Sequence, residues 1–413
     1  MQQIKLINEI NIKSEVDISE QISELEKLLL MNSKLEGLAK IEVWTALGTN
    51  KQISYATHGL YRYFGKFPAP IARKLIISYS KEGDEILDVM AGSGTTGVEA
   101  LLLNRKAILY DVNPLSRLIA KVKTTVIDKS KLLFEYEKIK TLYKPLTYDE
   151  YPFNPIGLKN TTHWFYEETI NSLRGIKKLI DSINDISTKE FAEVVFVSIV
   201  RNVSKATTQQ GRLFLDINSA KLDALDIFLK KYLKAIEMLD ELPNVNNVKV
   251  KEHNLKIPFN EIEYGKRNLI IAHPPYFNSY KYSSINSLEL SWLGVDHADV
   301  RKEEVKEFFK VGKKEKVSFY VEDMVKCFNN VFPLLKKDGV FAVMIGDTII
   351  KEEYIPVTKL ILEKLELKDI QLEKIILRKP QYTEATWAAS QRRNKNNLGV
   401  VLYDFILIFR RIK

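Results

Sequence analysis

The chain has 413 residues, 45% hydrophobic and 28% charged, a composition that suits a globular protein with two domains or one domain carrying a large insertion. A single cysteine, Cys327, excludes an internal disulfide framework, and five scattered histidines offer no zinc-ligand spacing, so no metal is expected. The balance of 62 Lys and Arg against 53 Asp and Glu, +9, favours a polyanionic partner only mildly, while the lack of a long apolar run or a signal-peptide core in MQQIKLINEINIK predicts a cytoplasmic protein with no membrane contact.

Residues 18–45 repeat apolar side chains at helical spacing, so 1–50 is read as an N-terminal helical segment. In YRYFGKFPAPIARKLIISY (61–79) a proline-rich turn opens a helix near Pro70. The strand DEILDVM (84–90) runs into a glycine loop, a helix GVEALLLNRK (97–106) follows, and a second strand, AILYDVNP (107–114), carries an acid near its end; together they make a βαβ unit. The rhythm then breaks. Residues 131–143, 167–185, 188–206 and 221–239 all read as helices, so 126–245 is taken as a helical insert large enough to be a subdomain. VSKATTQQGR (203–212) within it reads as a polar, basic loop or a solvated turn.

Strands resume with VKVKEHN (248–254) and NLIIAHPPY (268–276). Residues 301–316, with seven Lys or Arg against four Glu, predict a mobile loop or solvated helix. A helix (321–336), a strand (339–347), a helix (356–366) and strands at 370–378 and 402–411 complete the chain. Alternating strands and helices over 51–125 and 246–413 predict a doubly wound, Rossmann-like α/β sheet with a large helical insert. Its last two strands are expected to close one edge as an antiparallel hairpin. Between them RKPQYTEATWAASQRRNKNN (378–397) interleaves aromatics with basic residues, a pattern that suits phosphate contacts or a surface loop equally.

DVMAGSGTTGVEA (88–100) holds a G-x-G-x-x-G match between a strand and a helix. Small residues there let a ligand approach the backbone, and the helix N-terminus offers free N–H groups. Asp111, 19 residues after Gly92 at the end of the second strand, is placed to bind ribose hydroxyls. A NAD-binding domain shares this pattern. Asp88 at the tip of the first strand argues against it, because a carboxylate there repels a pyrophosphate and tolerates the sulfonium of S-adenosylmethionine. The alternative for Asp88 is a turn or helix-capping carboxylate.

His273-Pro274-Pro275-Tyr276 ends a buried strand in a stiff corner. A nucleobase amino group is a poor nucleophile because its lone pair is delocalised into the ring. Acceptors that take its two N–H groups localise that pair. Proline fixes φ and leaves its carbonyl free, so Pro274 offers one acceptor and residue 273 the other, with Tyr276 to stack on a base flipped out of a duplex.

These motifs together resemble the S-adenosylmethionine-dependent DNA methyltransferases that modify cytosine N4 or adenine N6. The glycine loop matches their methyl-donor motif and HPPY their Asp/Asn/Ser-Pro-Pro-Tyr/Phe motif; HGLYRYFGKFPAPIARKLI (58–76), NSLELSWLG (286–294), PLLKKDGVFAVMIGD (333–347) and YDFILIFRR (403–411) resemble further segments. The resemblance covers 58–125 and 248–413. It implies that Asp88, Ala91, Gly92, Gly94 and Thr95 line the cofactor pocket, that Asp111 holds the ribose, that Lys66, Phe67 and Pro68 close over the methionine end, and that Asn254 lies near the adenine. It implies double-stranded DNA as substrate, a restriction endonuclease or another defence protein as partner, and the insert as a target-recognition region.

His273 departs from the family pattern. A neutral imidazole nitrogen accepts one hydrogen bond, and with an ordinary pKa of about 6.5 about half of that acceptor is expected to vanish in mildly acidic solution. An RNA amino-methyltransferase and a catalytically silent DNA-binding module are the competing readings.

Overall fold

The computed structural model describes residues 40–44, 53–209, 212–277, 281–305, 316–350, 353–378 and 404–413. In chain order the strands are β1 (Lys40–Trp44), β2 (Glu85–Asp88), β3 (Lys106–Asp111), β4 (Ala206–Gln209), β5 (Arg212–Leu215), β6 (Val248–Glu252), β7 (Arg267–Ala272), β8 (Leu335–Gly346), β9 (Thr348–Ile350), β10 (Glu353–Ile355), β11 (Ile370–Arg378) and β12 (Asp404–Arg411). Eight of them form one sheet in the order β1-β11-β12-β8-β7-β2-β3-β6. The run from β8 through β7, β2 and β3 to β6 is parallel, and β12 is antiparallel to both its neighbours.

The helices that matter for the site are α1 (Ala69–Tyr79), α2 (Thr95–Leu102), α3 (Pro114–Lys123), α4 (Lys129–Leu142), α5 (Glu167–Asp181), α6 (Ile186–Val200), α7 (Ala224–Leu239), α8 (Ser287–Trp292), α9 (His297–Glu303), α10 (Lys316–Val331) and α11 (Val357–Lys364). The sheet is covered on both faces, as its uninterrupted apolar strands require. In β7, Ile270 and Ala272 pack with Tyr320, Met324 and Phe328 of α10, while Leu269 and Ile271 pack with Ile71, Leu75 and Ile76 of α1. The doubly wound reading therefore holds.

Within 126–245, helices α4 to α7 bury Leu132, Ile139, Leu173, Phe191, Phe228 and Tyr232 in a cluster that also takes Leu115 and Ile119 of α3 and Trp292 of α8. The insert is thus packed directly against the sheet's flanking helix. No helix among the described residues is long and apolar enough to cross a membrane.

Three expectations change. Residues 40–44 are a strand, parallel to β11. Val and Trp in KIEVW favour a pleated surface, and the pairing partner lies more than three hundred positions away, where helical spacing gives no hint of it; the remainder of that N-terminal helical segment, 1–39 and 45–50, lies outside the described residues. The antiparallel pair β11–β12 is interior: β12 is clasped between β11 and β8, and β1 takes the edge. Residues 206–209 and 212–215 form a two-stranded antiparallel ladder where a loop was read. The interleaved segment beyond Arg378 lies outside the described residues.

Candidate active site

The carboxyl ends of β2, β3, β6 and β7 open on one cleft, with about 830 Å³ of atom-free space that is partly open to solvent. This is where ligands bind in open α/β sheets. Lys66, Phe67, Ala91, Gly92, Asp111, Asn254, His273 and Pro275 all lie on its wall. Eight of the residues singled out from the sequence therefore meet in one place.

The glycine loop does so through backbone geometry. Gly92 and Gly94 sit at φ +51° and +77°. A Cβ on Gly94 meets Ala120 of α3 at 2.8 Å, so the turn packs directly on the helix behind it. Asp111 straps the turn from the other side: its Oδ2 accepts the N–H of Gly92 at 2.8 Å and its Oδ1 that of Asn113 at 2.8 Å. Burial pushes its carboxyl above the ordinary range against the pull of those N–H groups.

Asp88, Gly94, Thr95 and Pro68 are not on the cleft wall. Asp88 turns inward. It accepts the N–H of Met90 at 3.0 Å and the hydroxyl of Thr96, and burial raises its carboxyl to about 7. The strand-tip acid thus closes its own turn, without capping the helix, and does not point at a ligand. Pro68 precedes α1, and its carbonyl accepts the N–H groups of Ile71 and Ala72 at 3.0 and 3.1 Å. Lys66 donates to the His58 carbonyl at 3.2 Å, with its ammonium pushed down by burial. The amide of Asn254 donates to Glu303 Oε2 at 2.7 Å.

At the corner, the His273 ring stacks on Phe67 with centroids 5.1 Å apart and 25° between planes. Tyr276 meets the same ring edge-on at 5.4 Å and 83°. Tyr320 donates to the Pro275 carbonyl at 2.6 Å, which pins the bend to α10. Pro274 is buried, and neither it nor Tyr276 lines the cleft. The Tyr276 ring lies against Gly346, at the end of β8, where a Cβ meets it at 2.8 Å. Asp404, paired in register with Gly346, forms a buried ion pair with Arg378 beside it.

Burial, with the Arg378 charge nearby, lowers His273 to about 3. The expected loss of acceptor in mild acid is thereby corrected: the imidazole stays neutral there. Since the unfolded histidine titrates near 6.5, the unfolded chain binds the extra proton, and this group's contribution to stability falls as pH drops from 6.5 toward 3. In ¹³C-labelled protein, the His273 Cε1 resonance, assigned through His273→Gln, is expected to stay constant from pH 8 to 5; a midpoint near the ordinary value of about 6.5 contradicts this.

Several wall residues escaped the sequence reading. Ser93, inside the glycine loop, has a buried hydroxyl with no hydrogen-bond partner among the described residues. Tyr63 and Tyr282 stack at 5.8 Å on the rim. Glu304 belongs to the charged stretch read as a mobile loop or a solvated helix; it directly follows α9 and is held by the Ser283 N–H and hydroxyl at 3.0 and 2.7 Å, and burial raises it to about 7. No local signal marks it, because its partner is distant in sequence.

Behind the loop lies a buried polar node. Glu99 of α2 accepts from Tyr55, from His58 Nε2 at 2.8 Å and from Arg73 at 3.1 Å. Burial pushes Glu99 up, but these three partners hold it below its ordinary value, and burial lowers His58 to about 4. The node joins the segment before α1 to the helix that carries the glycine turn.

The profile of the N6/N4 DNA methylase family matches residues 8–121 and 267–412. The chain belongs to this family. S-adenosylmethionine is accordingly the methyl donor of this DNA methylase. The match begins well ahead of residue 58, where the motif-based resemblance started, and leaves out 122–266. The type II methyltransferase M.MvaI of Kocuria varians is 27% identical over 306 residues, 68% of this chain and 67% of that one. M.BsoBI of Geobacillus stearothermophilus is 28% identical over 283 residues, 59% of this chain and 54% of that one, so the match spans about half of that relative. M2.DpnII of Streptococcus pneumoniae is 37% identical over 86 residues, 20% and 29% of the two chains. Among solved structures, the rRNA methyltransferase aviRa from Streptomyces viridochromogenes overlaps at TM-score 0.32 and 10% identity, over 89% of this chain and 94% of that one.

The residues present fit the cofactor. The unpartnered Ser93 hydroxyl and the Asp111 carboxylate offer polar groups, Lys66 offers a cation to a carboxylate, and Phe67, Val89, Leu255 and Val305 supply apolar wall.

Proposed function

We propose that this DNA methylase modifies the exocyclic amino nitrogen of a base flipped out of duplex DNA, cytosine N4 in preference to adenine N6. The observation that carries this reading is that His273 and Pro275 line the same cleft as the Gly92–Ser93 turn and Asp111. When bound, S-adenosylmethionine supplies an electrophilic methyl group on a sulfonium. Lys66, Phe67, Ala91, Gly92, Asp111 and Asn254 hold it from the wall, whereas Pro68, Asp88, Gly94 and Thr95 shape that wall from behind.

His273 accepts one N–H of the target amino group through its neutral nitrogen; the Pro274 carbonyl, expected to take the other, belongs to a buried residue off the cleft wall. The nitrogen lone pair is then localised and aimed. The corner enters the reaction already oriented, because Phe67 and Tyr276 clamp the imidazole and Tyr320 holds the Pro275 carbonyl. The bound donor would supply its methyl group to this nitrogen, which gives up one proton to solvent, and no side chain of the corner forms a covalent bond to the base. Tyr276 acts on the base through His273 and not by facing the cofactor cleft.

The cytosine preference rests on PPYFNSYKY and LELSWLG after the corner, which resemble the Ser-Pro-Pro-Tyr branch. The naming of the relatives as type II methyltransferases supports a modification enzyme working beside a restriction endonuclease. Tritiated S-adenosylmethionine, offered with duplex DNA and with structured RNA in parallel, tests the reading. Label in the duplex is expected. Label in RNA alone would transfer the activity to an RNA substrate, and no label in either would make the chain a silent binding module.

A further inference from the structure

A second, wider groove lies on the other side of the segment that walls the methyl-donor cleft. Gly59, Leu60, Tyr61, Arg62 and Phe64 face the groove, whereas Tyr63, Gly65, Lys66 and Phe67 line the cleft. One stretch of nine residues therefore separates the two. The groove's opposite bank is the insert: the end of α6, β4, residues 216–222 and α7. It holds about 1640 Å³ of atom-free space, open to solvent in part and about twice that of the cleft.

Its chemistry is cationic and hydroxyl-rich. Arg201 is paired with Glu289 at 2.8 Å, which consumes one acid of the lining. Arg62, Lys231 and Lys234 then stand against Asp216. Lys231 donates to the Ser198 carbonyl at 2.7 Å and to Asn202 Oδ1 at 3.2 Å, and no carboxylate among the described residues pairs with it. Arg62 and Arg201 lie over the Phe64 ring at 5.4 and 5.1 Å, so Phe64 holds both guanidiniums at the groove's edge. The Ser219 hydroxyl is buried and has no partner among the described residues. Arginine and lysine heads with serine and asparagine donors between them are the groups that take phosphodiester oxygens.

We infer that this groove binds the phosphodiester backbone of duplex DNA flanking the target base, with Arg62 and Lys234 bound to phosphates and the insert as the far bank. The inference rests on the DNA-methylating reading of the cleft. A base swung into the cleft stays tethered to its own strand, and that strand must then lie within a nucleotide or so of the wall. The groove is where the wall's other side offers charge of the right sign.

The test is the salt dependence of binding to a fluorescein-labelled mixed-sequence duplex, followed by anisotropy between about 50 and 200 mM KCl. Each phosphate-neutralising cation taken away makes the slope of log K against log salt shallower by about 0.9, so Arg62→Ala/Lys234→Ala is expected to flatten it by about 1.8 relative to the unaltered chain. Calorimetric affinity for S-adenosylmethionine should be unchanged, which also reports that the variant is folded. Lys106→Ala/Lys140→Ala removes two exposed cations elsewhere and serves as the charge-matched comparison. An unchanged slope, or an equal flattening in both double variants, overturns the groove assignment while methyl transfer by the unaltered chain leaves the DNA reading standing. A slope change seen with structured RNA and not with duplex DNA overturns the choice of occupant. Failure of the unaltered chain to bind or methylate DNA brings down both.

Discussion

His273→Ala should lower kcat for methyl transfer by a factor on the order of 10²–10³, the usual loss when one preorganised hydrogen-bonding group is removed from a polar transition state. Affinity for S-adenosylmethionine should change little, since His273 meets Phe67 with its ring face and the glycine turn is strapped independently by Asp111. His273→Asn makes the test sharper. An amide oxygen also accepts a hydrogen bond, so Asn should restore much of the rate that Ala loses, at similar cofactor affinity. If Asn and Ala are equally slow, the acceptor role is wrong. If both lose cofactor binding in proportion to rate, His273 is part of the methyl-donor wall and nothing more. Single-turnover rates together with calorimetry separate these outcomes.

Glu99→Ala should be the most damaging change to the fold among those near the site. Glu99 is fully buried, and its removal leaves Arg73, His58 and Tyr55 without the carboxylate they share. Breaking a buried charged node on one side costs about 3–5 kcal/mol, against a total stability of about 5–15 kcal/mol for a typical domain. Urea unfolding is expected to show a midpoint lowered to match, with cofactor affinity falling in parallel because the node ties the Lys66–Phe67 segment to the helix behind the glycine turn. A loss below about 1 kcal/mol, the level of an exposed ion pair, would show that the node contributes nothing special. Glu99→Gln keeps the shape and two hydrogen-bonding atoms and should lie between.

The site was most legible where short spacing encodes it. Gly92 and Asp111, 19 residues apart, face the same cleft because a strand, a turn and a helix of fixed geometry separate them. The His-Pro-Pro corner was legible for a similar reason: two prolines after a buried strand leave the chain few ways to go. The roles of Lys66 and Phe67 came from likeness to a family and not from spacing, though both do reach the wall.

Asp88 shows where sequence stops. A carboxylate at a strand tip suits a ligand and a turn equally, and what decides is the hydroxyl of Thr96, brought back by the glycine loop at the start of the helix. Tyr276 is similar: strand alternation alone does not say that Gly346 leaves room for its ring. The node around Glu99, the buried carboxylate of Glu304 and the strand at 40–44 depend on pairings between residues far apart in the chain. Local periodicity carries no record of these, because each depends on which elements the fold brings side by side.

The most direct test of the central claim is the identity of the methylated nucleoside. Duplex DNA treated with the protein and S-adenosylmethionine is digested to nucleosides and resolved by mass spectrometry against standards. N4-methylcytosine is expected, formed more slowly by a factor on the order of 10²–10³ when His273→Ala replaces the natural chain; N6-methyladenine would keep the amino chemistry and remove the cytosine preference. A methyl group on cytosine C5 or on a ring nitrogen, or no methylated nucleoside at all, would contradict a corner built to activate an exocyclic amino group.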